Sequence, residues 1–126
     1  MNDQKKILII DDDKDLLQMY KFVFSNNGFL VETLQDSGKI LDTVKINKYD
    51  VILMDLLFPG GDNLQTIFQI RAKGALNSNT PVIAMTNLDS GEQTKKAREY
   101  GANACLFKTE LTPDNLVSKV LEIVNA

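Results

Sequence analysis

The amino-acid sequence predicts an α/β protein made of five successive strand–helix units, with one parallel sheet covered by helices on both faces. Three observations predict it. Five short apolar runs alternate with longer stretches of helical periodicity. Four of those runs are apolar almost throughout, as expected of strands covered on both faces. The chain has 126 residues, enough for one domain with one core, and no repeat, low-complexity tract or linker divides it.

The first run is KILII, residues 6–10, and it meets Asp11, Asp12 and Asp13 at once. Asp12 or Asp13 is placed to cap a first helix that turns Leu16, Tyr20 and Val23 inward and stops at Asn27-Gly28. FLVETL, 29–34, is more mixed and reads as an edge strand. Ile40, Leu41 and Val44 mark a second helix after Ser37. VILM, 51–54, is the third strand. Asp62 with Gln65 resembles a capping box for a third helix, carrying Leu64, Ile67 and Phe68 and ending near Gly74. PVIAM, 81–85, is the fourth strand. Ser90 with Gln93 repeats the box for a fourth helix, poor in large apolar residues, that ends at Tyr100-Gly101. ACLF, 104–107, is the fifth strand. Thr112-Pro113 supplies an N-cap and a proline at the first helical position. Val117, Val120, Leu121 and Val124 follow at i, i+3, i+4 and i+7.

Composition excludes several functions. The net charge is −3, and no basic stripe marks a nucleic-acid footprint. No apolar stretch approaches the roughly 18 residues that span a bilayer, and no secretory signal is visible. One cysteine allows no intrachain disulfide, which suits a soluble, cytoplasmic protein in a reducing compartment. The absence of histidine removes a Ser-His-Asp triad, a Cys-His pair and a histidine metal ligand, and a single thiol cannot build a zinc site. Carboxylates, hydroxyls, amides and lysine are left to do the chemistry.

Those groups fall at the strand ends. Ile10 is followed by Asp11 and Asp12, Met54 by Asp55, Met85 by Thr86 and Phe107 by Lys108. In an open parallel sheet the carboxyl ends lie side by side and ligands bind there. Three crowded carboxylates are costly unless a cation neutralises them or a pKa rises. Oxygen-only ligands suit a hard cation, Mg²⁺ above all. A metal, an ammonium, a hydroxyl and backbone N–H groups are what a phosphoryl group requires, and a carboxylate among them can be the nucleophile. Taken singly, these residues have plainer roles. Asp13 reads as a helix cap, Asp15 as surface charge, and Asp62 and Asp89 as cap or loop residues. Cys105 reads as a small buried apolar side chain.

Four ordered motifs, IIDDD (9–13), VILMDLLFPGGDNL (51–64), VIAMTNL (82–88) and GANACLFKTELTP (101–113), resemble the receiver domain of two-component response regulators over essentially the whole chain. The resemblance implies a doubly wound, flavodoxin-like (βα)5 fold with strand order 2-1-3-4-5, a single receiver domain over 1–126 and no output domain. Position by position, Asp55 resembles the phosphoacceptor, and Asp11 and Asp12 the acid pair that holds Mg²⁺. The backbone carbonyl of Leu57 resembles the further metal ligand, Thr86 the switch hydroxyl and Lys108 the lysine that pairs with acceptor and phosphate. Pro59-Gly60 resembles the turn after the active strand.

The implied role is a non-enzymatic signalling switch. Its donor would be a phosphohistidine on a sensor histidine kinase or phosphotransfer protein, and its output another protein. Direct nucleic-acid or membrane contact is not expected. Pairing with a second copy through the fourth helix, fifth strand and fifth helix is left open.

Several positions depart from the family pattern. Thr109 follows Lys108 where proline is common, so a cis bond at 108–109 cannot be assumed. Cys105 stands where an aromatic usually swings with the switch threonine. Asn87 follows Thr86 where a small residue is usual, close enough to cover the phosphate site or add a hydrogen bond. Leu57 and Leu88 occupy places where polar groups position water, which predicts slow loss of the phosphoryl group. Competing readings are a receiver-like binding module that works without phosphorylation, and an aspartyl-phosphate phosphohydrolase. The latter would need a second acid at Leu57. A flavin binder would need a Ser/Thr/Gly-rich first loop in place of Asp-Asp-Asp-Lys-Asp.

Overall fold

Alternation with a period of two decides which layer each strand side chain joins. In the computed structural model, which describes residues 4–58, 61–87 and 91–125, the parallel sheet consists of β1 (Lys6–Ile10), β2 (Leu30–Leu34), β3 (Val51–Asp55), β4 (Val82–Thr86) and β5 (Ala104–Phe107). Their order is β2-β1-β3-β4-β5, all neighbours parallel. The helices are α1 (Lys14–Asn26), α2 (Ile40–Ile46), α3 (Leu64–Ile70), α4 (Gly91–Glu99) and α5 (Pro113–Val124). The doubly wound order 2-1-3-4-5 is therefore the observed one.

One face of the sheet presents Leu8, Ile10, Ile52, Met54, Val82 and Ala84 to α2, α3 and α4. The other presents Ile7, Ile9, Val51, Leu53, Ile83 and Met85 to α1 and α5. Each fully buried side chain of this size contributes about 1.5–3 kcal/mol relative to exposure, so a one-residue slip would lose both layers together.

The structure revises several boundaries. Leu17, Tyr20 and Phe24 form the buried stripe of α1, with Leu16 and Val23 beside it. β5 is an edge strand, and all four of its residues are half-buried rather than covered on both faces. It has a neighbour on one side only, and α4 above it buries just Ala97 among its described residues.

The Asp62 side chain lies outside what the structure describes, so the Asp62–Gln65 box is not described. Gly61–Asp62 pairs with Leu57–Phe58 in a short antiparallel ribbon, and Asn63 stands at the cap without making a cap bond. The buried stripe of α3 is Leu64, Ile67 and Ile70, leaving Phe68 58% exposed. The helix stops at Ile70 rather than near Gly74, and Arg71 at its C-cap sends its side chain to Gly101 O, Ser78 O, Thr80 O and Asn103 Oδ1.

Other expectations hold. β2 is the opposite edge, Thr112 Oγ1 accepts from Asn115 N at 3.2 Å and Pro113 opens α5. The turn at Gly101 has φ +117, a left-handed conformation that favours glycine. Pro59-Gly60, Leu88, Asp89 and Ser90 lie outside the described residues, so the second capping box is not described.

Candidate phosphoacceptor pocket

Register brings the polar residues level. Ile10 pairs with Met54 and Met54 with Ala84, so Asp11 and Asp55 emerge side by side at the carboxyl ends of the two central strands. Asp55 pairs with Met85, and Thr86 with Phe107, so Thr86 and Lys108 emerge one step beyond. Asp11 and Asp55 are 2% and 7% exposed, and Thr86 is fully buried.

Asp13 explains why the first loop turns where it does. It is the N-cap of α1, and its Oδ1 accepts from Asp15 N at 3.0 Å and Leu16 N at 3.1 Å. Its own N–H donates to Asp11 Oδ1 at 3.0 Å. That bond fixes one Asp11 oxygen and leaves Oδ2 for Lys108, whose ammonium lies 2.6 Å away. The same ammonium lies 3.1 Å from Asp55 Oδ2, while Asp55 Oδ1 accepts from Leu57 N at 3.2 Å. Each buried carboxylate thus gives one oxygen to the backbone and one to the same lysine.

Asp12 is exposed beside them. Carboxylate oxygens of Asp11, Asp12 and Asp55 all lie within 4.8 Å of one another. One ammonium against three carboxylates leaves two negative charges in excess. Burial pushes the Asp55 carboxyl above its ordinary range, against the opposing pull of Lys108, and the Asp11 charge adds to the rise. For Lys108, burial pulls down, but the Asp11 hydrogen bond and the charges of Asp55 and Asp11 outweigh it, and its pKa is raised. The donor set is all oxygen and carries a double charge deficit. It therefore fits a hard divalent cation that keeps part of its water shell.

Asn87 is exposed and lines a cleft of about 330 Å³ with Lys108, Tyr20 and Met85. The Lys108–Thr109 peptide is not cis. Lys108–Glu110 forms a 3₁₀ turn. Cys105 is half-buried, and its thiol is pushed up by burial, partly offset by a hydrogen bond with Thr94.

Two residues near the site carried no signal in the sequence. Asn63, 5% exposed, donates from Nδ2 to Asp55 O at 3.0 Å, and its N–H donates to Leu56 O at 2.8 Å. Tyr20, read only as a core residue of α1, has its hydroxyl pKa raised by burial, while Lys108 lowers it and Asp11, Asp55 and Asp13 add to the rise.

A family model described as response regulator receiver domain matches residues 7–121. Response regulator MprA of Mycobacterium sp. (strain KMS) is 30% identical over 103 residues, covering 82% of this chain and 44% of that protein. The phosphate regulon transcriptional regulatory protein PhoB of Klebsiella pneumoniae is 27% identical, over 95% of this chain and 52% of its own length. The chain thus spans about half the length of these two regulators. Among solved structures, the receiver domain of the Francisella response regulator 1452 is 31% identical with a TM-score of 0.85, covering 97% of this chain and 98% of that one. Chemotaxis response regulator CheY4 of Vibrio cholerae is 26% identical with a TM-score of 0.84, over 96% and 98%. No helix among the described residues is long and apolar enough to cross a membrane.

Proposed function

The chain belongs to the response regulator receiver family, and from that premise we propose that it is a phosphoacceptor switch whose Asp55 takes a phosphoryl group from a phosphohistidine. The donor is a sensor histidine kinase or a histidine phosphotransfer protein, and the output is a partner protein in the cytoplasm. Receiver domains are signalling domains, so the product is a changed surface rather than a released compound. One observation carries the reading: a single lysine is shared between two buried carboxylates, with a third carboxylate within 4.8 Å.

Asp11, Asp12, Asp55 and the Leu57 backbone carbonyl are the residues that would hold Mg²⁺, which when bound neutralises charge on the phosphoryl oxygens. An Asp55 carboxylate oxygen attacks phosphorus. The new O–P bond forms as the N–P bond to the donor imidazole breaks, and the imidazole nitrogen keeps the electron pair. Lys108, already held between Asp11 and Asp55, balances charge at the phosphoryl group without reorganising. The Thr86 hydroxyl donates to a phosphoryl oxygen and draws its loop inward, and Asn87 adds a donor at the rim. With Cys105 in the aromatic position, Thr86 and its loop carry the outward signal.

The test is intact-mass spectrometry after incubation with acetyl phosphate and Mg²⁺, with Asp55→Asn alongside. One added phosphoryl group is expected, absent in the variant and absent without Mg²⁺. No adduct, together with no binding of Mg²⁺ or beryllofluoride, would make the chain a binding module that works without phosphorylation.

A further inference from the structure

Toward the amino ends of the strands, away from the acid pocket, a groove of about 460 Å³ opens between α2 and the turns after α3. Leu41, Val44 and Ile70 line it from the helices, and Ala75 and Leu76 from the turns. Leu76 is 46% exposed, and Ile46, at the end of α2, is 79% exposed. Polar staples add to the apolar packing of Val44 and Ile70 in holding the walls. The Asn77 amide, 1% exposed, donates to Val44 O at 2.7 Å and Asn47 O at 2.8 Å, and its oxygen accepts from Tyr49 N at 3.0 Å. Arg71 pins the far side of the same turns through Ser78 O and Thr80 O. A groove built this way is formed before anything enters it.

Its charge is the reverse of the molecule's. Lys45 lines the groove, Lys73 stands between the lining residues Ala72 and Gly74, Lys48 and Arg71 follow next to lining segments, and no acid is among the lining residues. Arg71 bonds only neutral oxygens in Gly101, Ser78, Thr80 and Asn103, so its charge is not cancelled. Among the described residues no carboxylate pairs with Lys45, Lys48 or Lys73. Asp42 is the acid of α2 and does not line the groove. At the other end of the sheet stand Asp11, Asp12, Asp13, Asp15 and Asp55.

We infer that this groove docks an acidic amphipathic helix of a partner protein, whose apolar stripe seats on Leu41, Val44 and Leu76 while its carboxylates meet Lys45 and Lys73. The apolar floor favours a helix face over nucleic acid, which needs phosphate contacts and stacking surfaces. The negative acceptor end repels the same helix, so charge sets the docking end as well as the attraction. The inference does not depend on phosphoryl transfer at Asp55.

The test uses the whole unphosphorylated chain, ¹⁵N-labelled, titrated to about 1 mM, where even weak contacts register. The probe is a helical peptide of about 15 residues with leucines at i, i+3, i+4 and i+7 and flanking glutamates. Amide shifts clustered in residues 41–46 and 70–77 are expected. They should weaken at least about tenfold in Lys45→Glu/Lys73→Glu and in Leu76→Asp, about 1.4 kcal/mol or more. The same peptide with lysine flanks should give none. No shift, shifts clustered elsewhere, equal binding of the lysine peptide, or the same shifts from a single-stranded oligonucleotide would each overturn the assignment.

Discussion

The side-chain amide of Asn63 donates to the main-chain carbonyl of Asp55 at 3.0 Å. This bond ties the start of α3 to the strand end that carries the acceptor, and it closes the loop that carries Leu57. Both groups are buried, so removing the donor leaves a carbonyl without its partner.

Asn63→Ala is therefore expected to cost about 1–3 kcal/mol in urea unfolding. Asn63→Asp should cost more, since it places an oxygen against the Asp55 carbonyl near three other carboxylates. If the loop matters to the chemistry, the initial rate of labelling by acetyl phosphate should fall in Asn63→Ala under conditions where the variant is fully folded. An unchanged rate and midpoint would remove any role for this bond.

How much of this was readable beforehand depends on range. The five runs are local signals, and the acids at their ends announce a site because α/β topology brings strand ends together. Asn63 carries no local signal, because the Asp55 carbonyl it bonds is eight residues away. The start of α3 is tied to the Asp55 carbonyl and follows the Leu57–Asp62 pair, neither of which any periodicity encodes. Arg71 was equally opaque. It stands at the C-cap of α3 and reaches Gly101 O, thirty residues further along the chain. Phe68 fits a helical stripe by spacing, but the stripe that is buried runs through Leu64, Ile67 and Ile70.

Without metal, Asp55 is expected to oppose folding at neutral pH. Its folded pKa is raised above its ordinary value of 3.8, chiefly by burial, so the folded state binds the proton more tightly than the unfolded state. This contribution favours folding more as pH falls through the folded pKa and is unfavourable above it. Metal-free Asp55→Asn should consequently melt higher than wild type at pH 7–8, with the gap closing as pH is lowered. Mg²⁺ should reverse the order. At a hundredfold excess over its Kd it adds about 2.7 kcal/mol to the wild type, and far less to the variant. Calorimetry with and without Mg²⁺ reads both effects, and a wild-type melting temperature indifferent to Mg²⁺ would sink the metal assignment.

A second pH dependence sits at the edge of the sheet. The Tyr49 hydroxyl donates to Glu32 Oε2 at 2.5 Å, and Lys6 Nζ lies 2.9 Å from Oε1. The Tyr49 hydrogen bond lowers the Glu32 pKa from 4.5, opposed by burial and helped by Lys6. A depressed carboxyl stabilises the fold above its unfolded pKa, and that stability is lost as pH falls through the folded value. Tyr49→Phe should cost about 1 kcal/mol or less at pH 7, because the Glu32 side chain is 40% exposed. The cost should shrink as pH drops below 4.5. A difference that persists unchanged at pH 3 would mean the hydroxyl acts through packing instead.

Loss of the phosphoryl group should be slow. Hydrolysis needs a water aligned opposite the Asp55 oxygen, and a polar side chain at the pocket rim is the natural way to hold it. Leu57, two residues after Asp55 and 40% exposed, offers no hydrogen bond to such a water. Its N–H is turned back onto Asp55 Oδ1, so it does not serve either. The phospho-form should therefore persist for minutes or longer, and Leu57→Gln should shorten its life about tenfold, or 1.4 kcal/mol in the barrier. The decay of the phosphorylated mass after the donor is removed measures both. A wild-type half-life of seconds would show that water reaches phosphorus unaided. Because Leu57→Gln leaves Asp11, Asp12, Asp55 and Lys108 untouched, its labelling rate should stay near that of the wild type while its decay changes. That separation distinguishes a water-positioning effect from general damage to the pocket.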